Sequence, residues 1–139
     1  MLSEEAKKRL LNIARATVEA VVKGERAPTF IEPHSELQGH QGCFVTLKNH
    51  GRLRGCIGAF TANKPLWKTV QDQAISSATR DPRFRMDPIT PDELPELDIE
   101  ISVLSTLRKI DNPLDIELGK HGIVIQHGVR RGCFLPQVA

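Results

Sequence analysis

Ala6, Leu10, Ile13, Ala14, Thr17 and Val21 recur at the spacing of an amphipathic helix, and Leu11, Val18 and Val22 widen the stripe. Ser3 can cap that helix, Glu4 and Glu5 suit its positive end, and Gly24 is a natural stop. From Gly24 to Gly42 the periodicity vanishes, which predicts a long loop carrying His34 and His40. A metal pair would need further ligands nearby, so these two read as solvated loop histidines. Two strand-like runs, 43–48 and 52–60, then flank Asn49-His50-Gly51, a short glycine-bearing turn. Together they predict a β-hairpin with Val45 and Leu47 on one face and Phe44 and Thr46 on the other.

Leu66, Val70, Ala74 and Ala78 mark a second helix, opened by Pro65 and ended by Asp81-Pro82. Thr90-Pro91-Asp92-Glu93 has the form of a capping box, and Ile99, Ile101 and Val103 alternate with Asp98, Glu100 and Ser102 as in a half-buried strand. Residues 122–126 and 132–138 surround His127-Gly128-Val129-Arg130, a second hairpin. Helix, hairpin, helix, strand, hairpin is an α+β order, which predicts a mainly antiparallel sheet with helices on one side.

A length of 139 residues is one compact domain, or two small lobes sharing a core. With 40% hydrophobic and 26% charged residues, the composition is that of a globular chain and excludes disorder, collagen and coiled coil. The net charge of +2, with five Phe, one Trp and no Tyr, disfavours a protein that grips nucleic acid. No apolar run has the length of a membrane span, and the acidic start is unlike a signal peptide, so a cytoplasmic protein is expected. Cys43, Cys56 and Cys133 are odd in number and far apart, which is not a disulfide framework.

Leu53-Arg54-Gly55-Cys56-Ile57-Gly58 is the most unusual stretch. On a regular strand Arg54 and Cys56 share a face about 7 Å apart, and a guanidinium there would favour a nucleophilic thiolate. Gly55 and Gly58 would leave room for a ligand or another backbone. Against this stands a plain core cysteine beside bulge glycines. Arg80, Arg83 and Arg85 fall within six residues at the end of the second helix. They form either an anion-binding edge or a solvated helix end. Glu100 is either a wet-face carboxylate or a base in a cleft. Walker A, dinucleotide, zinc-protease and hydrolase motifs are absent, so the sequence points to no cofactor.

The hexapeptide resembles the signature of the AMMECR family, named for the chromosomal region of a syndrome combining Alport disease, midface hypoplasia and elliptocytosis. Phe44-Val45-Thr46-Leu47, Ser77-Ala78, Asp81-Pro82-Arg83-Phe84, Glu93-Leu94, the Ile99–Leu104 strand and Phe134-Leu135-Pro136-Gln137-Val138 fall in family order. The resemblance implies two unequal lobes around a cleft that holds the signature. It directs attention to Arg54, Gly55, Cys56 and Gly58, to Asp81, Arg83 and Phe84, and then to Glu100. Cys43 and Cys133 are implied to be structural. Family chains usually continue past the LPQV segment into a helical stretch with a Trp, whereas this sequence stops at Ala139.

Many relatives resemble component A of a three-part AmmeMemoRadiSam system, which implies as partners a Memo-like protein and a radical S-adenosylmethionine enzyme. Three functions follow as expectations. In one, Cys56, with Glu100 as an accessory carboxylate, attacks or carries a group while Arg54 and Arg83 hold an anionic substrate. In another, the signature shapes a docking groove and catalyses nothing. Nucleic-acid association stands third.

Overall fold

The computed structural model describes residues 2–104 fully, together with the backbone of 123–127 and 130–134. The chain divides into two compact units, 1–107 and 108–139. The cleft expected between lobes involves residues outside the described set.

In the first unit, α1 spans Glu4–Val22, and Ser3 Oγ accepts the Ala6 N–H at 3.1 Å, the cap that the sequence predicts. Ala6, Leu10, Ile13, Ala14, Thr17 and Val18 are buried, so the helical stripe is the packed face. Within the loop that follows, the imidazole of His34 accepts the Glu36 N–H and caps a short 3₁₀ turn at Ser35–Leu37. Strands β1 (Cys43–Asn49) and β2 (Arg52–Ala59) form the predicted hairpin. Its turn requires positive φ at both His50 and Gly51, which are 50° and 81°, as a tight two-residue hairpin turn demands.

Helix α2 covers Leu66–Thr79 and is followed by a 3₁₀ turn at Pro82–Phe84. A 3₁₀ segment, Pro91–Glu96, leads into β3 (Leu97–Val103). The sheet order is β2-β1-β3, all antiparallel. Cys43, Val45 and Leu47 of β1 join Leu10, Ala14 and Val18 of α1 and Leu66, Val70 and Ala74 of α2 in one buried cluster. The helices therefore cover a single face, as the α+β reading requires. Each buried leucine or valine contributes roughly 1.5–3 kcal/mol. In the second unit, β4 (Ile123–His127) pairs antiparallel with β5 (Arg130–Phe134), the second hairpin expected from the sequence. Among the described residues, no helix is long and apolar enough to cross a membrane.

Candidate functional site

The signature occupies β2, an outer strand of the three-stranded sheet among the described residues. Its pairing with β1 is regular from Cys43↔Ala59 to Leu47↔Gly55, then slips, so that Lys48 faces Leu53 and Arg54 has no partner. This is a one-residue bulge, and it interrupts the alternation that would set Arg54 over Cys56. Arg54 is 2% exposed. Its Nε and Nη2 donate to the Glu93 carboxylate at 2.8 and 3.1 Å, and its Nη1 donates to Asp87 at 3.2 Å. The Arg54 hydrogen bond holds Glu93 at a pKa of about 2, well below its ordinary 4.5. Glu93 in turn raises the pKa of Arg54. The expected cation for the thiol is thus committed elsewhere, to carboxylates 33 and 39 residues away.

Arg83 instead reaches the backbone of Cys56. The Asp81 carboxylate accepts from Arg83 Nε at 3.0 Å, from Nη2 at 2.6 Å and from the Arg83 backbone N–H at 3.1 Å. It also accepts the backbone N–H of Cys56 at 3.0 Å, while Arg83 Nη2 donates to the Cys56 carbonyl at 3.2 Å. Asp81 is buried, and Arg83 lowers its pKa. Hydrogen bonding to Asp81 raises the pKa of Arg83. The two side chains therefore clamp the turn onto the backbone of Cys56. Phe84 lies between the arginines, its ring 5.7 Å from the Arg54 guanidinium and 5.6 Å from that of Arg83. Phe84 is half-buried and makes a cation–π contact with each arginine.

Cys56 is half-buried, with Sγ 3.1 Å from Thr46 Oγ1. The register aligns Cys56, Thr46 and Glu100 in one row across the three strands. Glu100 stands two strands from Cys56, about 10 Å away by strand spacing, and faces Lys48 Nζ at 3.4 Å in an exposed pair. The row does not bring Glu100 within reach of the thiol. Cys43 is fully buried, and burial pushes its thiol up to about 12, which makes it inert. The side chain of Cys133 lies outside the described residues.

The glycines serve packing. A Cβ on Gly55 would lie 2.0 Å from the Ser77 carbonyl of α2, and one on Gly58 would lie 2.4 Å from both the Cys43 carbonyl and the Phe44 ring. Of the two occupants expected for that space, a ligand or another backbone, the structure shows the second, since backbone atoms of Ser77 and Cys43 fill it. Ser77 is a residue that sequence reasoning undervalued. Its hydroxyl accepts the Ile57 N–H at 2.9 Å and donates to the Val45 carbonyl at 2.7 Å, tying α2 to both hairpin strands. A serine on the buried face of a helix was the only available signal. Glu93 reads in sequence as a capping residue and does accept the Thr90 N–H at 2.9 Å, but its larger role is the partnership with Arg54.

A three-stranded antiparallel sheet backed by two helices, with an arginine-rich turn clamped to its signature strand, defines the class: an α+β domain with an AMMECR-type edge. The chain belongs to the AMMECR1 family, whose model matches residues 11–139. It is 38% identical to the Methanosarcina barkeri protein Mbar_A1807 over all of this chain and 72% of that protein. It is 40% identical to the Methanopyrus kandleri protein MK0488, over 93% of this chain and 66% of that one. The crystal structure of the uncharacterized protein PH0010 from Pyrococcus horikoshii superimposes with a TM-score of 0.88 at 34% identity, covering 99% of this chain and 72% of that chain.

Proposed function

We propose that the chain recognises a small anionic substrate at the surface shared by Arg83 and Cys56. In this reading it is the anion-binding component of a multi-protein system of the AmmeMemoRadiSam kind, working with a Memo-like protein and a radical S-adenosylmethionine enzyme. The observation that carries the reading is the state of Arg83. Its Nε and Nη2 are fixed by Asp81 and the Cys56 carbonyl, while its Nη1 meets no acceptor among the described residues. A half-exposed guanidinium oriented in this way offers an anion a preorganised partner. The test is iodoacetamide labelling of Cys56, read peptide by peptide, with buried Cys43 as the internal control. Labelling that slows with sulfate in the parent and no longer responds to sulfate in Arg83→Gln is expected. Labelling indifferent to sulfate in both proteins would sink the assignment.

A second reading, a docking module without catalysis, draws support from the filled spaces beside Gly55 and Gly58, which make the signature a packing device. A Cys56→Ala protein that retains full activity in the reconstituted system would favour it.

A further inference from the structure

We propose that the hollow between the C-terminal end of α2 and the Asp81–Ile89 segment is a second ligand site, suited to a small aromatic or heteroaromatic anion. The hollow has a volume of about 330 Å³, within the range of roughly 300–1,000 Å³ that small-molecule sites occupy. Cys56 and Arg83 do not line it, while Asp81 and Phe84 do, so it adjoins the surface described above without including its free cation or its thiol. The turn at Pro82–Phe84 forms one wall, so a single short segment divides the two places.

Its chemistry follows from which charges are already neutralised. Arg54 lines the hollow, but its guanidinium is spent on Glu93 and Asp87. Arg80 and Arg85 also line it, are exposed, and have no acidic partner among the described residues. The α2 C-terminus opposes an anion with about half a unit of negative charge, which two whole positive charges outweigh. Phe84, Pro88 and Ile89 add apolar surface. A flat ring against that surface, with its carboxylate or phosphate between the two guanidiniums, matches both features.

The probe is phenyl phosphate, with benzoate and inorganic phosphate as parallel arms, followed by amide chemical shifts of the intact chain. Shifts centred on residues 78–89 are expected, with inorganic phosphate weaker than either aromatic anion. The double variant Arg80→Gln/Arg85→Gln should weaken phenyl phosphate about tenfold or more. Both side chains are exposed and have no acidic partner among the described residues, so that variant should melt like the parent. Arg83→Gln, which lies outside the hollow but touches its walls, should weaken phenyl phosphate less than the double variant does, while it abolishes the sulfate effect on Cys56 labelling. This separates the present proposal from the reading of Cys56. Shifts centred on Cys56, affinity unchanged in the double variant, or inorganic phosphate bound as tightly as phenyl phosphate would each overturn the site.

Discussion

Two arginine–carboxylate pairs stand on either side of Phe84, and their exposures are inverted. In the Arg54–Glu93 pair the cation is sealed, with 1% of its side chain exposed against 15% for the carboxylate. In the Arg83–Asp81 pair the carboxylate is sealed, at 2%, while 54% of the arginine side chain is exposed. The sealed member of each pair holds the fold. Arg54 ties the hairpin to the segment before β3, and Asp81 ties the end of α2 to the backbone of β2. Only the second pair leaves a guanidinium nitrogen, Nη1 of half-exposed Arg83, without an acceptor among the described residues. The same residue types thus build a structural lock in one place and a presented cation in the other.

The contrast is broken most severely at Arg54. Arg54→Ala strips Glu93 and Asp87 of a buried partner and should cost about 3–5 kcal/mol in a urea titration. Glu93 supplies the pH signature of that lock. Its folded pKa of about 2 lies below its ordinary 4.5, so its contribution is fully present above pH 4.5 and is lost as pH falls through 2. Glu93→Gln should therefore be less stable than the parent at neutral pH, and the gap should close on acidification. A gap that widens in acid would contradict the pairing.

Asp81→Ala should cost somewhat less, about 2–4 kcal/mol, because it removes the cap of the 3₁₀ turn and leaves the Cys56 N–H without its acceptor. Its half-exposed partner Arg83 can turn to water. Arg83→Gln should cost only about 1–2 kcal/mol, since two backbone N–H groups still serve the Asp81 carboxylate. Thermal melts that rank Arg83→Gln at or above Asp81→Ala would reverse the assignment of which partner is structural. Glu100→Gln, at an exposed pair, should stay within about 0.5 kcal/mol of the parent. A larger loss would mean that Glu100 belongs to the site after all.

The elements were legible in the sequence because each rests on local rules. The Ser3 cap, the stripe of α1, the alternation of β1 and the proline that ends α2 depend on residues a few positions apart. Arg54 was misread for a physical reason. Its direction depends on a register slip opposite Leu47 and Lys48, and its partners come from a different part of the chain. Nothing local marks Glu93 as more than a cap, or Ser77 as the hydroxyl that joins helix to hairpin. That Asp81 binds the Cys56 N–H and Arg83 the Cys56 carbonyl depends likewise on contacts between residues 25 and 27 positions apart.

The clamp on Cys56 also bears on how copies of the protein treat one another. A strand with one unsatisfied margin is a template on which another chain can add, and apolar stretches such as this one are prone to do so. Here the Cys56 N–H is taken by Asp81 and its carbonyl by Arg83, so an incoming strand finds that rung already filled. Extension there would require evicting a carboxylate and a guanidinium together. The same two side chains thereby occupy the rung of β2 at which a further strand would have to pair.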